Sequence, residues 1–81
     1  MTHQSTTKPF ILLTGATGYI GGRLIPLLEK TGYPLRCMAR RPDFLKPKVA
    51  KTTEVVKGDV LDIETLRVAL QGVKVAYYLI H

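Results

Sequence analysis

Apolar runs and stretches of helical period alternate along this chain, and the switches between them mark strands and helices in turn. Pro9 to Thr14 is almost uninterrupted apolar sequence, as a central parallel strand buried on both faces requires. From Gly18 to about Thr31 the spacing becomes helical, with Ile20, Leu24, Leu27 and Leu28 on one side and Arg23, Glu29 and Lys30 on the other. Gly32 closes this helix and Pro34 forbids its continuation. Pro26, inside it, removes one backbone hydrogen bond and is expected to bend it. Leu35 to Ala39 forms a second strand, ending in Arg40-Arg41-Pro42. Asp43 to Ala50 carries weak helical spacing through Phe44, Leu45 and Val49 and is split by Pro47, which predicts a short, irregular helix. Thr53 to Val56 is a third strand, short and largely β-branched. Asp62 then caps a helix through Ile63, Leu66, Ala69 and Leu70, stopped by Gly72, and Val73 to Ile80 is a fourth strand.

The order β-α-β-α-β-α-β implies parallel pairing through right-handed crossovers. It is the first half of a Rossmann-like, doubly wound α/β sheet with strand order 3-2-1-4. Residues 1–8 read as a floppy tail and 9–81 as half of a domain, since a strand as apolar as Val75 to Ile80 predicts more chain beyond it.

The first strand runs straight into Gly15, Gly18 and Gly21, with the first helix-forming stretch following at once. That arrangement suits a dinucleotide pyrophosphate, because the turn brings backbone N–H groups to the phosphates and the helix N-terminus adds partial positive charge. Gly15 stands where the strand must turn sharply, Gly18 where a side chain would block the pyrophosphate, and Gly21 where the helix packs on the sheet. The spacing is G-x-x-G-x-x-G, a departure from the commoner G-x-G-x-x-G, and the strand before and helix after it supply the context that the motif needs.

At 81 residues the chain is one domain at most, and 46% hydrophobic with 22% charged residues is the balance of a globular chain. No apolar run approaches the ~20 residues that would span a bilayer, and the first eight residues lack an apolar signal core, so a cytoplasmic protein is expected. The single Cys37 has no partner for an internal disulfide and no nearby Cys or His with which to hold a metal; it reads as a small buried residue of the second strand.

The net charge of +6 is concentrated in Arg36, Arg40, Arg41, Lys46, Lys48 and Lys51, with Asp43 the one acid among them. Such a cluster fits nucleic acid, a membrane surface or a phosphorylated ligand. No stretch resembles a base-reading helix, and no G-x-x-x-x-G-K-[ST] can be laid on the chain, which disfavours nucleic-acid and P-loop readings. An NAD site usually has an acid ~20 residues beyond the glycines to hold both ribose hydroxyls. Here that region reads Met38-Ala39-Arg40-Arg41-Pro42, and paired guanidinium donors suit a 2′-phosphate. Arg40 first and Arg41 second are the expected phosphate contacts, making NADP the expected cofactor with NAD possible.

Thr14 to Gly22, Arg40 after the second strand, Gly58-Asp59-Val60 after the third and Tyr77 to His81 in the fourth together resemble the extended and atypical short-chain dehydrogenase/reductases, in particular their NAD(P)H-binding, epimerase-like members. The resemblance implies backbone contacts from Thr17, Gly18, Tyr19 and Ile20 to the pyrophosphate. It implies Asp59 and Val60 on the adenine, and the end of the fourth strand, at Leu79, beside the ribose. A carboxylate at Asp59 can accept from the adenine amino group and the Val60 N–H can donate to a ring nitrogen.

The catalytic signature of that family is a Tyr with a Lys four residues later. Tyr19, Tyr33 and Tyr77 are followed at that spacing by Arg23, Cys37 and His81. Tyr77 and Tyr78 read as core residues of a strand and His81 lacks a partner, so no catalytic residue is assigned. The expected function is the NADP(H)-binding part of an oxidoreductase or epimerase-like enzyme acting on an unspecified small molecule. A non-catalytic NADP-binding sensor or assembly module of the same fold is the alternative. The 81 residues alone are expected to bind cofactor weakly and to turn over nothing.

Overall fold

A computed structural model describes residues 9–15 and 19–78. Four strands, β1 (Phe10–Thr14), β2 (Leu35–Ala39), β3 (Glu54–Lys57) and β4 (Val73–Tyr78), form one parallel sheet in the order β3-β2-β1-β4. Between them run the helices α1 (Tyr19–Glu29), α2 (Pro42–Leu45) and α3 (Ile63–Ala69), with a 3-10 turn at Lys46–Lys48 after α2. The alternation and strand order match the expectation from sequence.

The period-2 alternation of β1 and β2 divides the core between the two faces of the sheet. On one face Ile11, Leu13, Cys37 and Ala39 pack with Ile25 and Leu28 of α1 and Leu45 of α2. On the other, Leu12 and Met38 pack with Ala69 of α3, flanked by Leu66 and Leu70. Leu12, Leu13, Leu35 and Cys37 are the largest fully buried side chains, so the sheet is covered at its middle on both sides.

The irregular second helix is as short as the prolines demand: α2 has four residues, starts on Pro42 and gives way to the turn containing Pro47. Asp62 caps α3 as expected, its carboxylate accepting from the Glu64 N–H at 3.1 Å. Gly32 and Gly72 follow the first and third helices with positive φ. Pro26 lies within α1 on an exposed position.

Four expectations are corrected. Leu27 is 61% exposed, because the buried face of α1 follows Gly21, Leu24, Ile25 and Leu28 at helical spacing and leaves Leu27 to one side. Ile63 is 71% exposed: α3 has seven residues, and it is its middle and end, at Leu66, Ala69 and Leu70, that reach the sheet. Tyr77 is 40% exposed rather than core, as is Val75 two residues earlier on the same side of β4, a face that the described elements leave uncovered there. The third strand runs one residue later at each end than the pattern predicted, Glu54–Lys57, since its register with β2 extends to Ala39 opposite Lys57.

Arg36 is not part of a solvated basic face. Its guanidinium bonds Glu54 at 2.8 Å and the carbonyls of Ala69 and Gln71 at 2.6 and 2.7 Å, and it lies 4.3 Å from the Phe10 ring centroid. One side chain thereby joins three neighbouring strands to the end of α3. The end of α1 is held similarly: the Glu29 carboxylate accepts from the Ala50 N–H at 2.9 Å and the Thr53 hydroxyl at 2.5 Å.

Candidate dinucleotide site

Parallel strands place all four C-terminal ends along one edge, and in open α/β sheets ligands bind there, where the order of strands reverses. In this sheet the reversal lies between β1 and β4, whose ends are joined by the Thr14 hydroxyl donating to the Tyr77 carbonyl at 3.3 Å. Gly15 follows at φ 78°, a conformation that a residue with a Cβ rarely adopts, so the chain leaves β1 by the sharp turn that the glycine motif requires. Tyr19 and Ile20 form the first turn of α1, and Gly21 is buried, consistent with close packing of helix on sheet. Thr17, Gly18 and Leu79, expected at the pyrophosphate and ribose, lie outside the described residues, as do residues 1–8 and His81.

The segment after β3 is built around a glycine for a packing reason. A Cβ on Gly58 would stand 2.6 Å from the Met38 sulfur and 3.2 Å from Thr65 Cβ, so the chain passes between β2 and α3 with no room for a side chain. The Asp59 N–H donates to the Thr65 hydroxyl at 3.0 Å, and one Asp59 carboxylate oxygen, Oδ1, accepts from the Leu61 N–H at 3.0 Å. This turn fixes Asp59 while leaving its second oxygen able to accept from an amino group. Val60, 41% exposed, stands beside it, and its N–H meets no acceptor among the described residues. Both groups therefore fit an adenine edge.

Arg40 and Arg41 follow β2 and are exposed. They line a groove of about 480 Å³ together with Pro42, Asp43, Phe44 and Lys57, the Arg41 guanidinium lying 5.3 Å from the Phe44 ring centroid. The structure thus brings the expected phosphate contacts together in one concave, basic place and adds two residues that sequence reasoning missed. Phe44 read as an apolar position of a helix, yet it is 58% exposed and walls the groove. Lys57 lies one residue beyond the predicted end of the third strand, and it joins the groove through the register of β3 on β2.

A family profile described as NAD(P)H-binding matches residues 15–80. The chain is 34% identical over 67 residues to sterol demethylase protein B of Methylococcus capsulatus, covering 83% of this chain and 20% of that protein. It is 32% identical over 76 residues to cinnamoyl-CoA reductase 1 of Petunia hybrida, covering 85% and 23%. A Rossmann-fold NAD(P)-binding family protein from Shigella flexneri superposes with a TM-score of 0.80 at 28% identity, covering 91% of this chain and 38% of that one. The chain spans about a fifth of the length of the two curated relatives.

Proposed function

Because this chain belongs to the NAD(P)H-binding family of short-chain dehydrogenase/reductases, we propose that it is the NADP-preferring cofactor part of a cytoplasmic oxidoreductase. Residues 9–81 then form the N-terminal half of the dinucleotide domain. A nicotinamide cofactor supplies hydride transfer when bound. The work of these residues is to bind and orient it.

Gly15 and the turn of α1 at Tyr19, Ile20 and Gly21 receive the pyrophosphate, with Thr17 and Gly18 between them. Asp59 and Val60 hold the adenine edge, and the family resemblance assigns Leu79 to the ribose. Arg40 and Arg41 face the 2′-phosphate. The observation that carries the NADP preference is the groove after β2, where both arginines stand in the place in which an NAD site usually offers an acid. Asp43 is the one carboxylate in that groove, and it is outnumbered by cations. The buried, unpaired Cys37 suits a reducing compartment. No Tyr in the 81 residues is followed four positions later by Lys, so a proton-transferring dyad of that kind is not among them.

Titrating the full-length protein with NADPH and NADH tests the assignment. Charge-assisted bonds contribute ~1.5–3 kcal/mol each, so Arg40→Ala is expected to weaken NADPH by roughly ten- to a hundredfold, with a similar or smaller loss for Arg41→Ala. NADH binding should stay the same in both. Equal wild-type affinity for the two cofactors, or loss of both together in the variants, would remove the NADP preference.

A further inference from the structure

Among the described cations, Lys57 has a position that the cofactor reading leaves unused. It is the last residue of β3, paired in register with Ala39, and the next backbone N–H, that of Gly58, donates to the Ala39 carbonyl at 3.0 Å. That bond fixes the end of β3 beside the end of β2, so Lys57 and Arg40 start from adjacent strands roughly 5 Å apart. Alternation along β3 puts Lys57 on the same side as Val55, the side of Cys37, Ala39 and Leu45. This is the side that α2 covers, and the lysine accordingly lines the same groove as Arg40, Arg41 and Phe44. Its side chain is exposed and makes no ion pair or hydrogen bond with any described residue, whereas Arg36 is fully engaged elsewhere.

Charge decides what Lys57 adds. Two arginines against Asp43 leave the groove one net positive charge, and the lysine raises this to two. A phosphate monoester carries about −1.5 to −2 near neutral pH, so the groove balances such a group only with the lysine included. An ammonium on a flexible stem needs no fixed angle of approach, and it complements the planar donors of the arginines.

We infer that Lys57 is a specificity-determining residue, the third cation on the 2′-phosphate of the cofactor. The inference rests on the NADP reading above, and its test separates the two. Adenosine 2′,5′-bisphosphate and adenosine 5′-monophosphate, titrated calorimetrically into the full-length protein, differ only in the phosphate concerned. Lys57→Met is expected to weaken the bisphosphate about five- to tenfold and leave the monophosphate unchanged, while Lys57→Arg keeps the preference. If wild type prefers the bisphosphate and Arg40→Ala loses that preference but Lys57→Met keeps it, Lys57 is surface charge and the NADP reading stands without it. Equal weakening of both ligands by Lys57→Met would likewise overturn the assignment. A wild type with no preference removes the NADP reading and the role of Lys57 together.

Discussion

The Cys37 thiol is fully buried in the middle of the sheet, and burial, with a smaller contribution from the Glu29 carboxylate, pushes its pKa from 9.0 up to about 12. A folded-state value above the unfolded one means that the native chain keeps its proton while the unfolded chain loses it. This contribution is therefore intact below pH ~9 and is lost as pH rises from there toward about 12, by up to ~1.4 kcal/mol per pH unit. Urea melts of wild type and Cys37→Ala across that range should show the steeper alkaline decline in wild type. The same burial predicts that a neutral-pH thiol reagent labels Cys37 only as fast as the protein opens. Arg36 is the other residue whose environment carries a prediction. Arg36→Met leaves the Ala69 and Gln71 carbonyls without their charged donor, and a stability loss of about 1.5–3 kcal/mol is expected in denaturant melts. Arg36→Lys should recover only part of it, because one ammonium cannot reproduce the forked geometry.

At the scale of elements, what could be read from the chain was whatever depends on near neighbours. The buried run of β1, the turn at Gly15, the cap at Asp62 and the proline-broken α2 each follow from residues a few positions apart. The pair Arg40-Arg41 was legible for the same reason, since it directly follows a recognisable strand. What was not legible depends on pairing between distant segments. Arg36 looks like surface charge until its acceptors, 33 and 35 residues away, are in place. Lys57 becomes part of the groove only through the register of β3 on β2. The exposed Leu27 and Ile63 follow from how each helix is rotated and how far it extends over the sheet, which a local pattern leaves open by about one residue. Gly58 illustrates the non-local kind of constraint. Gly58→Ala places a methyl against buried Met38 and Thr65, and a loss of about 1–3 kcal/mol is expected by thermal or chemical melting, the cost of overpacking a filled site.

Over the whole molecule, the sheet carries the groups proposed for the cofactor and its main polar anchor at opposite ends. Arg36 gathers Phe10, Glu54 and the end of α3 near where the strands begin, and Arg40, Lys57 and Asp59 stand where they finish. Four residues of strand, roughly 13 Å, separate Arg36 from Arg40, which exceeds the range over which substitutions usually couple. Fastening and binding are thus tunable independently, like two screws on opposite edges of one plate. At a fixed NADPH concentration the cofactor should add the same stabilising free energy to Arg36→Met as to wild type, although the variant starts from a lower melting point. A mutational search for a sturdier version of this domain can therefore work at the beginning of the strands without disturbing what the other edge recognises.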